Sequence, residues 1–267
     1  MITASVVVHR TRPELLSSLM ASLSAEPVER IYVVDNSPDE SLREETLKYE
    51  NTEYRHIPNK GFGNAHNHAI RLAAEAGSEF HLVVNPDVRW DSAVLRPMIE
   101  AMKADPLCAL AHPRVIYPDG RLQHTCRLLP TPFDVFIRRF VPDFLFRRRR
   151  RRYLLPDSVY ESEFSPVYVQ GSFMLMRTGC LLDVGLFDER FFMYPEDIDL
   201  SRRIRARYHT LYCPFVTVIH DHAGASRKPG KMLWIHIVNM IRYFNKWGWF
   251  RDSERSRLNS ALILLFS

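Results

Sequence analysis

Strand-like apolar runs alternate with helix-like segments through the first third of the chain, and this alternation most constrains the fold. "ITASVVV" (2–8), "RIYVVD" (30–35) and "FHLVVN" (80–85) are rich in Val and Ile and read as buried strands. Between them, "PELLSSLMASL" (13–23) has helical spacing, "SLREETLKYE" (41–50) reads as a polar helix, and "GNAHNHAIRLAAEAG" (63–77) is a helix ending in a Gly suited to a C-cap. Strands joined by crossover helices imply a mostly parallel sheet flanked by helices, so the expected class is α/β. Ligands of such sheets bind beyond the carboxyl ends of the strands, and Asp35 and Asp87 both stand at such ends.

"VVNPDVRW" (83–90) shows how a strand stops: apolar residues run into Asn85, Pro86 ends the ladder and Asp87 occupies the turn. The middle of the chain is different. "RRFVPDFLFRRRRRRYLLP" (138–156) mixes aromatics with eight arginines and one acid, Asp143, and reads as an insertion-like loop or short helices. Order resumes at "VYVQGSFMLMR" (167–177), read as a strand pair with Gly171 at the bend. "PEDIDLSRRIRARY" (195–208) is a helix with its acids in the first turn and its arginines later, as the macrodipole prefers. "TLYCP" and "VTVIH" read as two short strands. Residues 231–250 read as a helix that is apolar or aromatic on most of its circumference.

With 46% hydrophobic residues among 267, the chain can bury a core of one large domain, which excludes disorder throughout. Its net charge of +5 points to acidic partners: nucleic acid, anionic lipid or phosphorylated ligands. Cys108, Cys126, Cys180 and Cys213 are far apart and form no C-x-x-C pair, which argues against a zinc site or a disulfide framework and suits a reducing cytosol. The N-terminus lacks a signal-peptide pattern, and no apolar run approaches the ~18 residues of a spanning helix.

Five places can carry chemistry, each with a plainer structural reading. Asp35 can accept a hydrogen bond from a base N–H, or cap its own turn through Asn36 and Ser37. "PNKGFGNAHN" (58–67) can bring backbone close to a phosphate at a helix start, or simply join a loop to a helix. Asp87 in "NPDV" can hold Mg²⁺ or Mn²⁺ against a diphosphate, or be a solvated turn residue. Among Glu196, Asp197 and Asp199, one carboxylate can act as a general base, while acids in a first turn also stabilise helices. His220, with His222 as an alternate, can ligate a metal beside a carboxylate, although a lone buried His is usually structural.

Taken in order, Asp35, "NKGFGNAHN", "NPD", "GSFMLMR", "GLFDERFFMYPEDIDLSRR" and "IHDHAGAS" closely resemble the family 2 inverting glycosyltransferases, over roughly residues 2–245. Within that family the pattern is similar to the bacterial rhamnosyltransferases of O-antigen and cell-wall glycan assembly. The resemblance implies a GT-A fold, a nucleotide-sugar donor and a divalent cation, Mg²⁺ or Mn²⁺. It implies a glycosyltransferase domain over 1–230, with a nucleotide-binding half to about 115, an acceptor-side half to 230 and a C-terminal helical extension over 231–267. By position, Asp35 would bind the base, and Asn36, Lys60, Gly61, Asn64, Asn85 and Asp87 would complete the nucleotide-sugar side. Asp87 would be the last acid of the D-x-D metal motif, with Asn85 in place of the first, and His220 would lie near the metal and diphosphate. Asp197 would be the catalytic base with Glu196 in support, and Gly171 and Ser172 would stand on the acceptor side.

The donor implied is dTDP-rhamnose, with a UDP-hexose as the alternative, and the acceptor a polyprenyl-diphosphate-linked saccharide. A nucleic-acid-binding protein would explain Arg147–Arg152 but not the acids at the sheet's ligand edge, which repel phosphates unless a metal intervenes; no nucleic-acid partner is expected. The arginine run and the aromatic 231–250 helix instead suit a peripheral seat on the anionic cytoplasmic face of the membrane.

Overall fold

The computed structural model describes residues 1–135, 147–221 and 230–266. Its first half follows from the alternation in the sequence. Strands β1 (Ile2–Val8), β2 (Arg30–Asp35), β3 (Thr52–His56) and β4 (Phe80–Val84) form a parallel sheet in the order β3-β2-β1-β4. Helix α1 (Pro13–Ser24) covers one face and α3 (Phe62–Glu75) the other. Successive side chains of β2 serve both: Ile31 and Val33 pack with α1, while Tyr32 and Val34 pack on Ala65, Ala69 and Ala73 of α3. Within 41–50 the helix, α2, is confined to Arg43–Thr46.

The sheet continues through β9 (Phe173–Arg177), β6 (Cys108–Ile116), β10 (His209–His220) and the two-residue β5 (Val88–Arg89) to eight strands. Helix α4 (Leu95–Ala104) joins the first core through Leu95, Met98 and Met102. β9 runs antiparallel between β4 and β6, so the sheet is mixed. Residues 167–177 do hold two strands around Gly171, but these do not pair with each other. β8 (Tyr168–Val169) pairs with β7 (Cys126–Arg127) in a small second sheet, and β9 enters the large one. "TLYCP" and "VTVIH" are one strand, β10, with a register shift between Cys213 and Thr217; Pro214, which has no N–H to give the ladder, lies in that shift. All four cysteines are free and buried.

A second core gathers α5 (Arg147–Leu154), through the half-buried Tyr153, with α6 (Thr178–Val184), α7 (Glu196–Arg205), α8 (Lys231–Trp247) and α9 (Ser253–Leu264). Met240, Tyr243 and Phe244 of α8 and Leu258 and Leu262 of α9 pack with Ile198, Leu200 and Ile204 of α7. The buried Arg202 of α7 clamps these helices. Its guanidinium donates to both oxygens of Asp252 at 2.7 and 2.6 Å and to Glu254 at 2.6 Å, and it stacks 4.0 Å over the Trp247 ring. The helix expected over 231–250 ends at Trp247, with Gly248 as its C-cap. No helix among the described residues is long and apolar enough to cross a membrane.

Candidate active site

A cleft of about 1340 Å³ opens where β1, β2 and β4 end. Because β9 is antiparallel to β4, its N-terminal approach, Gly171–Ser172, arrives at that same edge, and the Asn85 N–H donates to the Ser172 carbonyl at 3.0 Å. The start of α7 and one side of α8 close the cleft. Asn36, Asn85, Asp87, Gly171, Ser172, Glu196 and Asp197 all line it, so most of the residues expected at the site converge.

Asp197 is held as a carboxylate should be if it is to take up a proton. Its Oδ2 accepts from the Gly171 N–H at 3.0 Å and the Tyr168 hydroxyl at 3.3 Å, and its Oδ1 from the Ile198 N–H at 2.8 Å. Gly171 permits this approach: a Cβ there would stand 3.4 Å from both Asp197 Cβ and the Phe62 ring. Burial raises the Asp197 pKa above the ordinary carboxylate range, and the three donors and the Arg127 charge oppose that rise. Burial, then the charge of Asp197, pushes the Glu196 pKa well above its usual value. Asp199 turns the other way. It is fully buried and receives Arg203 Nε at 2.8 Å, Trp247 Nε1 at 2.7 Å and Lys246 Nζ at 2.6 Å, which makes it a packing residue of the helical layer.

Also on the cleft wall, Asp87 has its Oδ1 3.3 Å from Nε2 of the fully buried His220. The Gln123 amide fixes that ring. Gln123 Nε2 donates to the His220 carbonyl at 2.7 Å, so its Oε1, 3.0 Å from His220 Nδ1, must accept the ring N–H. A ring so oriented turns Nε2 toward the Asp87 carboxylate, and the two together offer a cation an imidazole nitrogen and a carboxylate oxygen. One carboxylate oxygen and one imidazole nitrogen suit Mn²⁺ and, less well, Mg²⁺. Among the described residues no three His, Cys, Asp or Glu side chains converge as a cage, and His222 lies outside the described residues.

The other expected residues are placed apart. Asp35 is fully buried, and its oxygens accept from the Ser37 N–H and the Tyr54 hydroxyl, both at 2.7 Å; it caps its own turn, and the adjacent Asn36 is what reaches the cleft. Lys60 is exposed and off the cleft wall, and Asn64 donates to Glu189 at 2.6 Å. Gly61 serves packing. At φ 107° it lets the chain pass Phe192 so closely that a Cβ would meet the Phe192 carbonyl oxygen at 2.1 Å, and the Phe62 N–H donates to that oxygen. Lys60, Gly61 and Asn64 are thus not among the residues that line the cleft, although Asn59 and Phe62 of the same segment are.

Several cleft residues were not anticipated. His9–Arg12 follow β1, and the strand-end rule that singled out Asp35 would have found them; Arg10 has a left-handed φ of 52°, and its N–H donates to Ser37 Oγ at 2.8 Å. Arg127 and Tyr168 are cross-strand partners in the β7–β8 ladder. Arg150 and Tyr153 come from the arginine-rich helix α5.

Known proteins share this sequence and architecture. The pattern of "Glycosyl transferase family 2" matches residues 6–173. The chain is 28% identical to an N-acetylglucosaminyl-diphospho-decaprenol L-rhamnosyltransferase of Mycobacterium tuberculosis, with 93% of this chain and 86% of that protein covered. It is 26% identical to the rhamnosyltransferase WbbL of Escherichia coli, covering 96% and 97%. Among solved structures, GalNAc-T7 with UDP, GalNAc and Mn²⁺ superposes with a TM-score of 0.67 at 13% identity over 92% of this chain. TarS of Staphylococcus aureus in complex with UDP gives 0.56 at 17% identity over 81%. The chain spans 48% and 60% of those two solved chains, and at such identities they speak for the fold alone. With the family pattern spanning more than half of its length, the chain belongs to glycosyl transferase family 2.

Proposed function

We propose that this glycosyltransferase moves rhamnose, with inversion, from dTDP-rhamnose to a hydroxyl of a saccharide linked through diphosphate to a polyprenyl lipid. The relatives' names supply the sugar and the acceptor class. The observation that carries the chemistry is Asp197, raised in pKa and held by Gly171, Tyr168 and Ile198 on the wall of a cleft that Asp87 also lines. Asp197 takes the proton of the acceptor hydroxyl as that oxygen attacks the anomeric carbon. The bond to the nucleoside diphosphate breaks on the opposite face, and a single displacement inverts the centre. Glu196 lies beside it, its pKa pushed well up by burial and by the Asp197 charge. A Mg²⁺ or Mn²⁺ held by Asp87 and His220 would offset the charge of the departing diphosphate. Asn36 and Asn85 stand on the donor side.

The site is reached from a membrane surface in this reading. Trp234, Val238 and Ile241 form an exposed apolar stripe at helical spacing on α8, while Leu233, His236 and Met240 of the same helix line the cleft. The exposed arginines of α5 add positive charge. The enzyme would thus sit peripherally on the anionic inner face, where lipid-linked acceptors lie. The test is incubation with dTDP-rhamnose and a panel of UDP-hexoses on a polyprenyl-diphosphate N-acetylglucosamine acceptor, followed by mass analysis. A deoxyhexose increment from dTDP-rhamnose alone is expected; a hexose increment from a UDP-sugar instead would overturn the donor assignment.

A further inference from the structure

The cleft that Asp87 lines also carries Arg127 and Arg150, which the donor chemistry above does not use. The β7–β8 ladder sets Arg127 opposite Tyr168, its guanidinium 5.9 Å from that ring, and the Tyr168 hydroxyl in turn reaches Asp197. Arg127 is half-buried, and its Nε donates to the His124 carbonyl at 2.7 Å, which fixes the side chain in place. Helix α5 brings the second guanidinium to the cleft. Arg149 anchors it, 4.1 Å over the Phe133 ring and bonded to Asp134 at 2.7 Å, and the Leu128 N–H donates to the Tyr153 carbonyl at 3.1 Å. Arg150 and Tyr153, three residues apart, share one face of α5, and both line the cleft with Arg127.

We infer that Arg127, Arg150 and Tyr153 form a metal-independent subsite for the diphosphate of the lipid-linked acceptor. The inference rests on the transferase reading above. Guanidinium and phenol groups carry N–H and O–H donors of the kind that phosphate oxygens accept. The position suits the acceptor: its reacting hydroxyl is one sugar ring from its diphosphate, and Arg127 is one side chain, Tyr168, from the base. The acceptor then needs no cation of its own, and Asp87 is left to the donor.

The test is calorimetric titration of farnesyl diphosphate into the full chain at physiological salt with a chelator present. The parent should bind. Arg150→Gln, at an exposed helical position that leaves folding intact, should weaken binding about tenfold or more, the scale of a lost charge-assisted bond. Arg148→Gln removes the same charge from the same helix away from the cleft and should change binding less than about twofold, since surface charge is screened at this salt. Arg127→Lys keeps a charge but loses the fork, and should fall between them. No binding by the parent without a divalent cation, or equal loss in Arg148→Gln and Arg150→Gln, would overturn the subsite. So would an Arg150→Gln protein that loses affinity for dTDP with Mn²⁺ but not for farnesyl diphosphate. A parent that binds farnesyl diphosphate yet transfers sugar from no nucleotide donor would leave the subsite standing and overturn the proposed function.

Discussion

A carboxylate that must accept a proton works best when its pKa approaches the working pH, and Asp197 is raised by burial while three donors keep it chargeable. Asp197→Asn keeps the shape and removes the base; transfer should fall by ~10²-fold or more with donor binding largely kept. Near-parental turnover in the folded variant would remove the assignment. Activity should also fall on acidification at a pH above the ~3.9 of an ordinary Asp. Tyr168→Phe deletes a hydrogen bond to the charged form, so this acid limb should shift to higher pH; an unmoved limb would show that Tyr168 does not tune the base. Glu196 tests the cost of the arrangement. Its folded pKa lies above its unfolded one, so above the unfolded value the native state binds more protons and stability falls as pH rises. Glu196→Gln should therefore raise the melting temperature, by a few degrees at pH 8 and little at pH 5, as scanning calorimetry would show. That Asp197 and Asp87 stand on the cleft wall was legible because a helix start and a strand end are visible in sequence. That Asp199 must face away from Asp197 follows from helical geometry at two residues' spacing. The partnership of Arg127 with Tyr168 was not legible, because two-residue strands carry no periodicity.

Among the elements, β1, β2, β4, α1 and α3 stand close to where their patterns placed them, since each has one or two apolar faces with a clear period. β9 shows where pattern fails: an antiparallel and a parallel central strand look alike in sequence, and only the sheet decides its direction. β10 was divided at Pro214 because a proline weighs heavily in a local reading, whereas a long ladder on either side tolerates one shift. The glycine before α3 reads in sequence either as a phosphate approach or as a plain loop-to-helix junction, and in the fold it packs closely on the Phe192 backbone. Gly61→Ala, strained at φ 107° and colliding with a carbonyl, should destabilise the protein by about 2 kcal/mol or more in urea unfolding. A loss within about 0.5 kcal/mol, the scale of an ordinary surface change, would show that the 61–192 contact relaxes freely.

Across the whole molecule, α8 and α9 share the core that supports α7, with Arg202 as the tie. Arg202→Met takes both close guanidinium bonds from the buried Asp252, leaving it the Arg255 guanidinium at 3.8 Å, and should cost roughly 3–5 kcal/mol. Adding Asp252→Asn should recover part of this in equilibrium unfolding; no recovery would mean that packing rather than charge sets the cost. The exposed stripe of Trp234, Val238 and Ile241 and the arginines of α5 predict sedimentation with anionic liposomes at low salt, partly reversed at high salt. Changing Arg147, Arg148, Arg151 and Arg152 to Gln should clearly reduce it, at ~1 kcal/mol per basic residue near the surface. Equal partition of parent and variant would show that the run does not seat the protein. The stripe was partly legible, since residues 231–250 are plainly aromatic, but which of them face outward depends on the core that α8 meets.

The β4–β9 ladder has a mechanical meaning. Asp87 follows Asn85 by two residues, Asn85 bonds to Ser172, and the neighbouring Gly171 bonds to Asp197, so the two jaws of the reaction are bolted to one rail. In the proposed reaction the separation of Asp87 from Asp197 is then set by strand register, like the span of a fixed wrench. Lengthening either strand end by one residue would regauge the tool for every substrate at once.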